Sequence, residues 1–171
     1  MSDTDKPRSR RRIDGRSRSV SRLAVVQALY QMELAGQDSE SAIAEFVEHR
    51  IGQSIDGESF AEADLKYFGS IVRGVVARQD EIDRALAAAT GKSWSYDRID
   101  AIMRAIFRAC TYELLANSTI PAKVAVSEYL NVAAAFFEEN GSELPFIGGV
   151  LHRIARDLRP AEVPVATTPD P

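Results

Sequence analysis

The chain has 171 residues, of which 45% are hydrophobic and 27% charged, with a formal net charge of −4, which is the make-up of one soluble domain with a real core. Its longest apolar runs fall far short of a bilayer span and no signal-peptide pattern opens it, so it reads as cytoplasmic with no membrane role. The single cysteine, Cys110, excludes an internal disulfide and a cysteine zinc cluster, and its place on an apolar helical phase reads as a buried thiol.

The charge is unevenly spread. Residues 1–22 carry eight basic groups, Lys6 with Arg8, Arg10, Arg11, Arg12, Arg16, Arg18 and Arg22, against three acidic ones, a local net of +5. The remainder carries thirteen basic against twenty-two acidic residues, a net of −9. A basic arm on an acidic body can neutralise phosphates whatever the overall charge. Residues 1–18 hold almost no apolar groups and cannot offset the entropy of ordering, so a disordered Arg-rich arm is expected there.

Ser19 or Ser21 is a plausible N-cap for a helix carrying Leu23, Val26, Leu29, Tyr30 and Leu34 and stopping at Gly36. Arg22 then falls in the first turn, where the macrodipole repels a cation and a phosphate would compensate. Asp38 or Ser39 can cap a short helix through Ile43, Phe46, Val47 and Ile51, ended by Gly52. Ser59 and Glu62 have capping-box spacing, and a periodic run follows from Leu65 to Leu86. The apolar stripe lapses between Arg78 and Glu81, which leaves one kinked helix or two; Gly91 ends the run, and Trp94 and Tyr96 then read as a plug over the core.

The stretch RIDAIMRAIFRACTYELLANSTIPAKVAVSEYLNVAAAFF, residues 98–137, reads as an antiparallel pair of apolar helices and organises the rest. Ile99, Ile102, Ile106, Cys110 and Leu114 give the first helix a core stripe, with Asp100, Arg104 and Arg108 at i, i+4 and i+8 on an outward one. Pro121 suits the opening of the second helix, whose buried set is expected at or near Val124, Val126, Leu130, Ala133 and Phe137. Ser142 opens a last helix in which Gly148 and Gly149 cost roughly 1 kcal/mol each relative to alanine, so close approach of another backbone is expected there. From residue 160 the prolines predict a disordered tail.

No GxGxxG, GxxxxGK[ST], HExxH or CxxC occurs, and His49 and His152 have no ligand or base partner at useful spacing. The sequence therefore offers no catalytic residues, no metal site and no cofactor, and it reads as a binding module rather than an enzyme. The Arg/Ser arm favours RNA or another polyanion.

Five blocks in order, SRLAVVQALYQMEL, YFGSIVRGV, IDAIMRAIFRACTYELL, IPAKVAVSEYLNVAAAF and PFIGGVLHRIA, resemble the NusB family of transcription antitermination factors between about Arg16 and Arg159. The resemblance implies an all-α fold of about seven helices in two small three-helix subdomains over residues 19–159. It implies binding of single-stranded boxA-type RNA from ribosomal RNA transcripts together with the ribosomal protein NusE, within the RNA polymerase antitermination complex. By the same resemblance Arg16, Arg18 and Arg22, with Arg10, Arg11 and Arg12, match the family's basic RNA-binding segment, and Tyr30, Lys123 and Phe146 lie on or near that RNA face. Arg104 and Arg108 are the matching candidates for NusE. Met103 replaces a usually acidic residue, Gly148 an asparagine and His152 an aspartate.

Two other readings stand beside this one: a helical protein-interaction scaffold without RNA binding, and a relative of the NusB-like domain of an rRNA methyltransferase, for whose cofactor domain the sequence up to Pro171 leaves no room. The sequence does not choose between a monomer and a homodimer.

Overall fold

The computed structural model describes residues 7–51, 62–91 and 98–164. Among these are seven α-helices, one π-helical turn and no strand: α1 (Pro7–Ala35), α2 (Ser39–Phe46), the π turn (Val47–Ile51), α3 (Glu62–Ala77), α4 (Gln79–Thr90), α5 (Ala101–Ala116), α6 (Ala122–Ala134) and α7 (Glu143–Leu158). They divide into two compact units, 1–73 and 74–171, so the expected pairing of a three-helix unit with a second becomes α1 to α3 against α4 to α7, with the division inside α3.

In the first unit α1 begins at Pro7, well before the serines expected to cap it. Proline is suited to a helix start, and the missing apolar periodicity forbids burial rather than helical backbone. Among the described side chains of α1, Ser21, Val25, Val26, Ala28 and Leu29 are buried, while Leu23 and Tyr30 are half-buried and Leu34, expected in the core, is exposed. Ala42, Ile43 and Phe46 of α2 and Phe68, Ile71 and Val72 of α3 complete this core. Phe46 and Phe68 pack with ring centroids 5.5 Å apart. Gly36, at φ 64°, ends α1, and the Asp38 carboxylate caps α2 by accepting from the Ser41 amide at 2.9 Å. That bond holds the Asp38 carboxyl below its usual pKa. Arg73 of α3 forks onto Glu40 of α2 at 2.6 and 3.0 Å, but both are exposed, and such a pair adds little stability. Ser59, one half of the expected capping box, lies outside the described residues, as do Trp94 and Tyr96.

In the second unit α5 is the axis, packed by α4, α6 and α7. The lapse at Arg78 proves to be a true break between α3 and α4, and Gly91, at φ 61°, ends α4. Asp100 is the N-cap of α5, accepting from the Ile102 amide at 2.8 Å, rather than a member of a surface stripe. Cys110 is fully buried, as read from its phase. On α6 the buried set is Ala122, Ala125, Val126, Tyr129, Val132 and Ala133, while Val124 is exposed and the helix ends at Ala134, short of Phe137.

The two α7 glycines do not answer to a close crossing. A Cβ at Gly149 would meet nothing within 4 Å, and one at Gly148 would make an ordinary contact 3.7 Å from Leu130. Gly149→Ala is therefore expected to stabilise the fold by up to about 1 kcal/mol through helix propensity alone, read as a raised midpoint in chemical denaturation. The close approach lies at Gly74 instead, where a Cβ would clash with the hydroxyl end of the Tyr112 ring.

The described residues just past α7 are turned back by hydrogen bonds despite Pro160. Residues 159–163 form a turn, with the Glu162 and Val163 amides both donating to the Arg159 carbonyl at 3.1 Å.

Candidate nucleic-acid interface

The first unit places two candidate arginines around one ring. Arg18 and Arg22, one helical turn apart on α1, set their guanidinium carbons 5.2 and 5.5 Å from the Tyr67 ring centre on α3. Arg22 Nη2 also donates to the Tyr67 hydroxyl at 3.0 Å. An aromatic face attracts a cation, and the hydroxyl adds a directed acceptor, so the ring fixes both side chains along one face of α1. The two differ in what they leave outside: Arg22 is only 3% exposed, whereas Arg18 is at the surface. Since α1 starts at Pro7, Arg22 is not in a first turn, and the dipole repulsion invoked for it does not operate. Tyr67 is not among the residues expected from the sequence, because nothing local marks a tyrosine whose partners lie on another helix.

Arg10, Arg11, Arg12 and Arg16 continue α1 toward its N-terminus, on the stretch whose side chains lie outside the described residues. Tyr30 stands half-buried three turns beyond Arg18.

The second unit carries the other two candidates at helix starts. Lys123 is exposed in the first turn of α6, with no ion pair among the described residues. Phe146, in the first turn of α7, is 42% exposed and meets Phe107 edge-on, with centroids 6.1 Å apart and planes at 72°. It borders an open groove of about 350 Å³ with Thr90, Gly149, Val150 and Arg153. An aromatic beside an exposed arginine is the pairing that unstacked bases and phosphates use.

The candidates for a protein partner are placed differently from expectation. Arg104 and Arg108 are 8% and 7% exposed, not outward. Arg104 Nη1 donates to the Ile99 carbonyl, and Arg108 forks onto Asp83 of α4 at 2.9 and 3.0 Å. α5 is wrapped on nearly all sides, so a polar stripe at i, i+4 spacing became an internal network instead of a solvated face. Among the described residues no group of three His, Cys, Asp or Glu side chains could hold a metal ion. His49 and His152 are exposed, and no described helix is long and apolar enough to cross a membrane.

The model of the NusB family matches residues 19–156 of this chain. The chain belongs to the NusB family. Transcription antitermination protein NusB of Sphingopyxis alaskensis is 48% identical over 143 residues, covering 84% of this chain and 95% of its own. The protein of the same name from Caulobacter vibrioides is 46% identical over 142 residues, covering 83% and 94%. Among solved structures, NusB of T. maritima superposes with a TM-score of 0.68 at 28% identity, covering 82% of this chain and 91% of that one. A crystal structure of antitermination factors NusB and NusE in complex with dsRNA superposes with a TM-score of 0.67 at 22% identity, over 83% and 98%, which shows a shared fold. This NusB-family chain thus has relatives matched along nearly their whole length, and its family match begins at Ser19, next to the Arg18 and Arg22 pair.

Proposed function

We infer that this protein is a transcription antitermination factor that binds RNA together with NusE and acts through binding, without catalysis. The observation that carries the reading is the near full-length identity to antitermination proteins, 48% over 143 residues in one relative. The RNA is of the single-stranded boxA type implied by the family resemblance, and the complex forms on transcribing RNA polymerase in the cytoplasm. Arg10, Arg11, Arg12, Arg16 and Arg18 supply phosphate contacts. Tyr67 orients the Arg18 and Arg22 end of that series, and Arg22 acts mainly as its buried anchor. Phe146 and Lys123 provide a stacking face and a further cation on the second unit.

If about four phosphates are contacted, log K should fall against log salt with a slope of roughly −3, at ~0.7 per phosphate for a single strand. Deleting residues 1–18 is expected to weaken binding and flatten that slope. A titration in which the shortened protein binds as tightly, with the same slope, would mean that the arm does not hold the RNA.

A further inference from the structure

The Arg159 side chain is 9% exposed, and its guanidinium is directed back at the turn joining α5 to α6. Its Nε donates to the Leu114 carbonyl at 2.9 Å, Nη2 to Asn117 at 2.6 Å and Nη1 to Ile120 at 2.7 Å. These are carbonyls at and just past the end of α5, which no helical amide can reach. Three residues on, Glu162 accepts from the backbone amide of Ala122 at 3.1 Å and pairs with Arg159 Nη1 at 3.2 Å. A carboxylate there also sits at the positive end of the α6 dipole. The two side chains therefore fix the backbone at residues 114, 117, 120 and 122, immediately before exposed Lys123.

We propose that Arg159 and Glu162 are positioning residues for RNA: they hold the α5–α6 turn so that Lys123 is presented to a phosphate in one fixed place. The proposal rests on the assignment of Lys123 to RNA made above. A lysine contacts phosphate as a point charge on a long flexible stem, so the part of its geometry that the protein can preset is the backbone beneath it. Without Arg159 the Leu114 and Ile120 carbonyls would lose these donors, and the Asn117 carbonyl would keep only the Ile120 amide at 3.3 Å. The side chain that supplies the acceptor for Ala122 needs no charge to do so, and this separates geometry from electrostatics.

Arg159→Ala weakens the fold itself, so Glu162 carries the test. The full chain with saturating NusE is titrated with the same single-stranded RNA as parent, E162Q, E162A, K123A and K123A/E162A, each across a salt series. E162Q keeps an acceptor for the Ala122 amide but loses the pairing with Arg159, so it should bind more tightly than E162A. E162A and K123A should each lose about threefold or more in affinity and flatten the salt slope by ~0.7, one phosphate contact. The double variant should be no weaker than K123A, since the pair acts through one contact. Backbone hydrogen exchange at residues 118–123 should quicken more in E162A than in E162Q. A parent-like E162A beside a weakened K123A, or losses that add in the double variant, would overturn the positioning role alone. A parent-like K123A would overturn the assignment of Lys123 to RNA and the positioning role with it.

Discussion

Gly74→Ala is expected to destabilise the protein by about 1 to 3 kcal/mol, although alanine is the better helix former by roughly 1 kcal/mol. The glycine lies near the end of α3 with the half-buried Tyr112 ring of α5 laid against its bare Cα, and a methyl group there occupies the same space as the ring. The ring must tilt or the helices must part, and either disturbs the packing on the buried side of a half-buried ring. The sign of the effect should reverse when the ring is removed: in a Tyr112→Ala background, Gly74→Ala should stabilise by propensity alone. Urea denaturation of the four proteins in this cycle checks both halves. A Gly74→Ala variant as stable as the parent would mean that the ring swings aside freely.

Arg159→Ala should cost about 3 kcal/mol. Its donors reach three backbone carbonyls within 2.9 Å, those of Leu114, Asn117 and Ile120, with a longer approach of 3.5 Å to Glu113. Hydrogen bonds from a charged donor contribute about 1.5 to 3 kcal/mol each but do not add in full when they share one side chain, and the Asn117 carbonyl keeps the Ile120 amide, which holds the total near the lower end. Arg159→Lys keeps the charge but not the planar fork, so one ammonium cannot reach all three acceptors, and most of the loss should remain. Thermal melts at neutral pH measure this, and a lysine variant matching the parent would show that charge, not the fork, matters.

The contrast between Arg159 and Asp38 marks where sequence reading succeeds. Helix ends were legible because their causes are local: Asp38 bonds an amide three residues on, Gly36 and Gly91 adopt positive φ, and the stripe lapses at Arg78. The buried cysteine followed from periodicity for the same reason, whereas on the first helix only Val26 and Leu29 of the expected stripe are buried and Leu34 faces outward. Arg159 answers carbonyls some forty residues upstream, and nothing in its neighbourhood announces them. It was placed at the edge of a tail because proline follows.

Arg104 and Arg108 failed in the opposite direction. Their spacing marked a surface stripe, but α5 is the central helix of its unit, and Asp83, the partner that makes burial of Arg108 tolerable, sits on α4. The glycines show the same split. A glycine inside a helix signals either close approach or tolerance, and the chain alone could not tell Gly74 from Gly149; Tyr112 decides it. On the candidate interface, charge asymmetry marked the arginines, whereas Tyr67 gave no signal, since its role depends on α3 lying beside α1.

The acidic remainder of the chain bears on how RNA is held. Outside residues 1–22 the net charge is −9, which disfavours a phosphate chain on that part of the molecule. A basic ribosomal protein docked there would cancel part of the repelling field, so RNA and NusE should favour each other's binding through electrostatics. Linkage requires the two to raise each other's affinity by the same factor. That factor should shrink as added salt shortens the Debye length toward ~3 Å at 1 M.

The most direct measurement is the affinity of the full chain for single-stranded boxA-type RNA at low salt, with and without saturating NusE. The account predicts tighter RNA binding with NusE, an equal gain in NusE affinity when RNA is saturating, and a loss of both gains at high salt. Equal RNA affinity in the two conditions would contradict it.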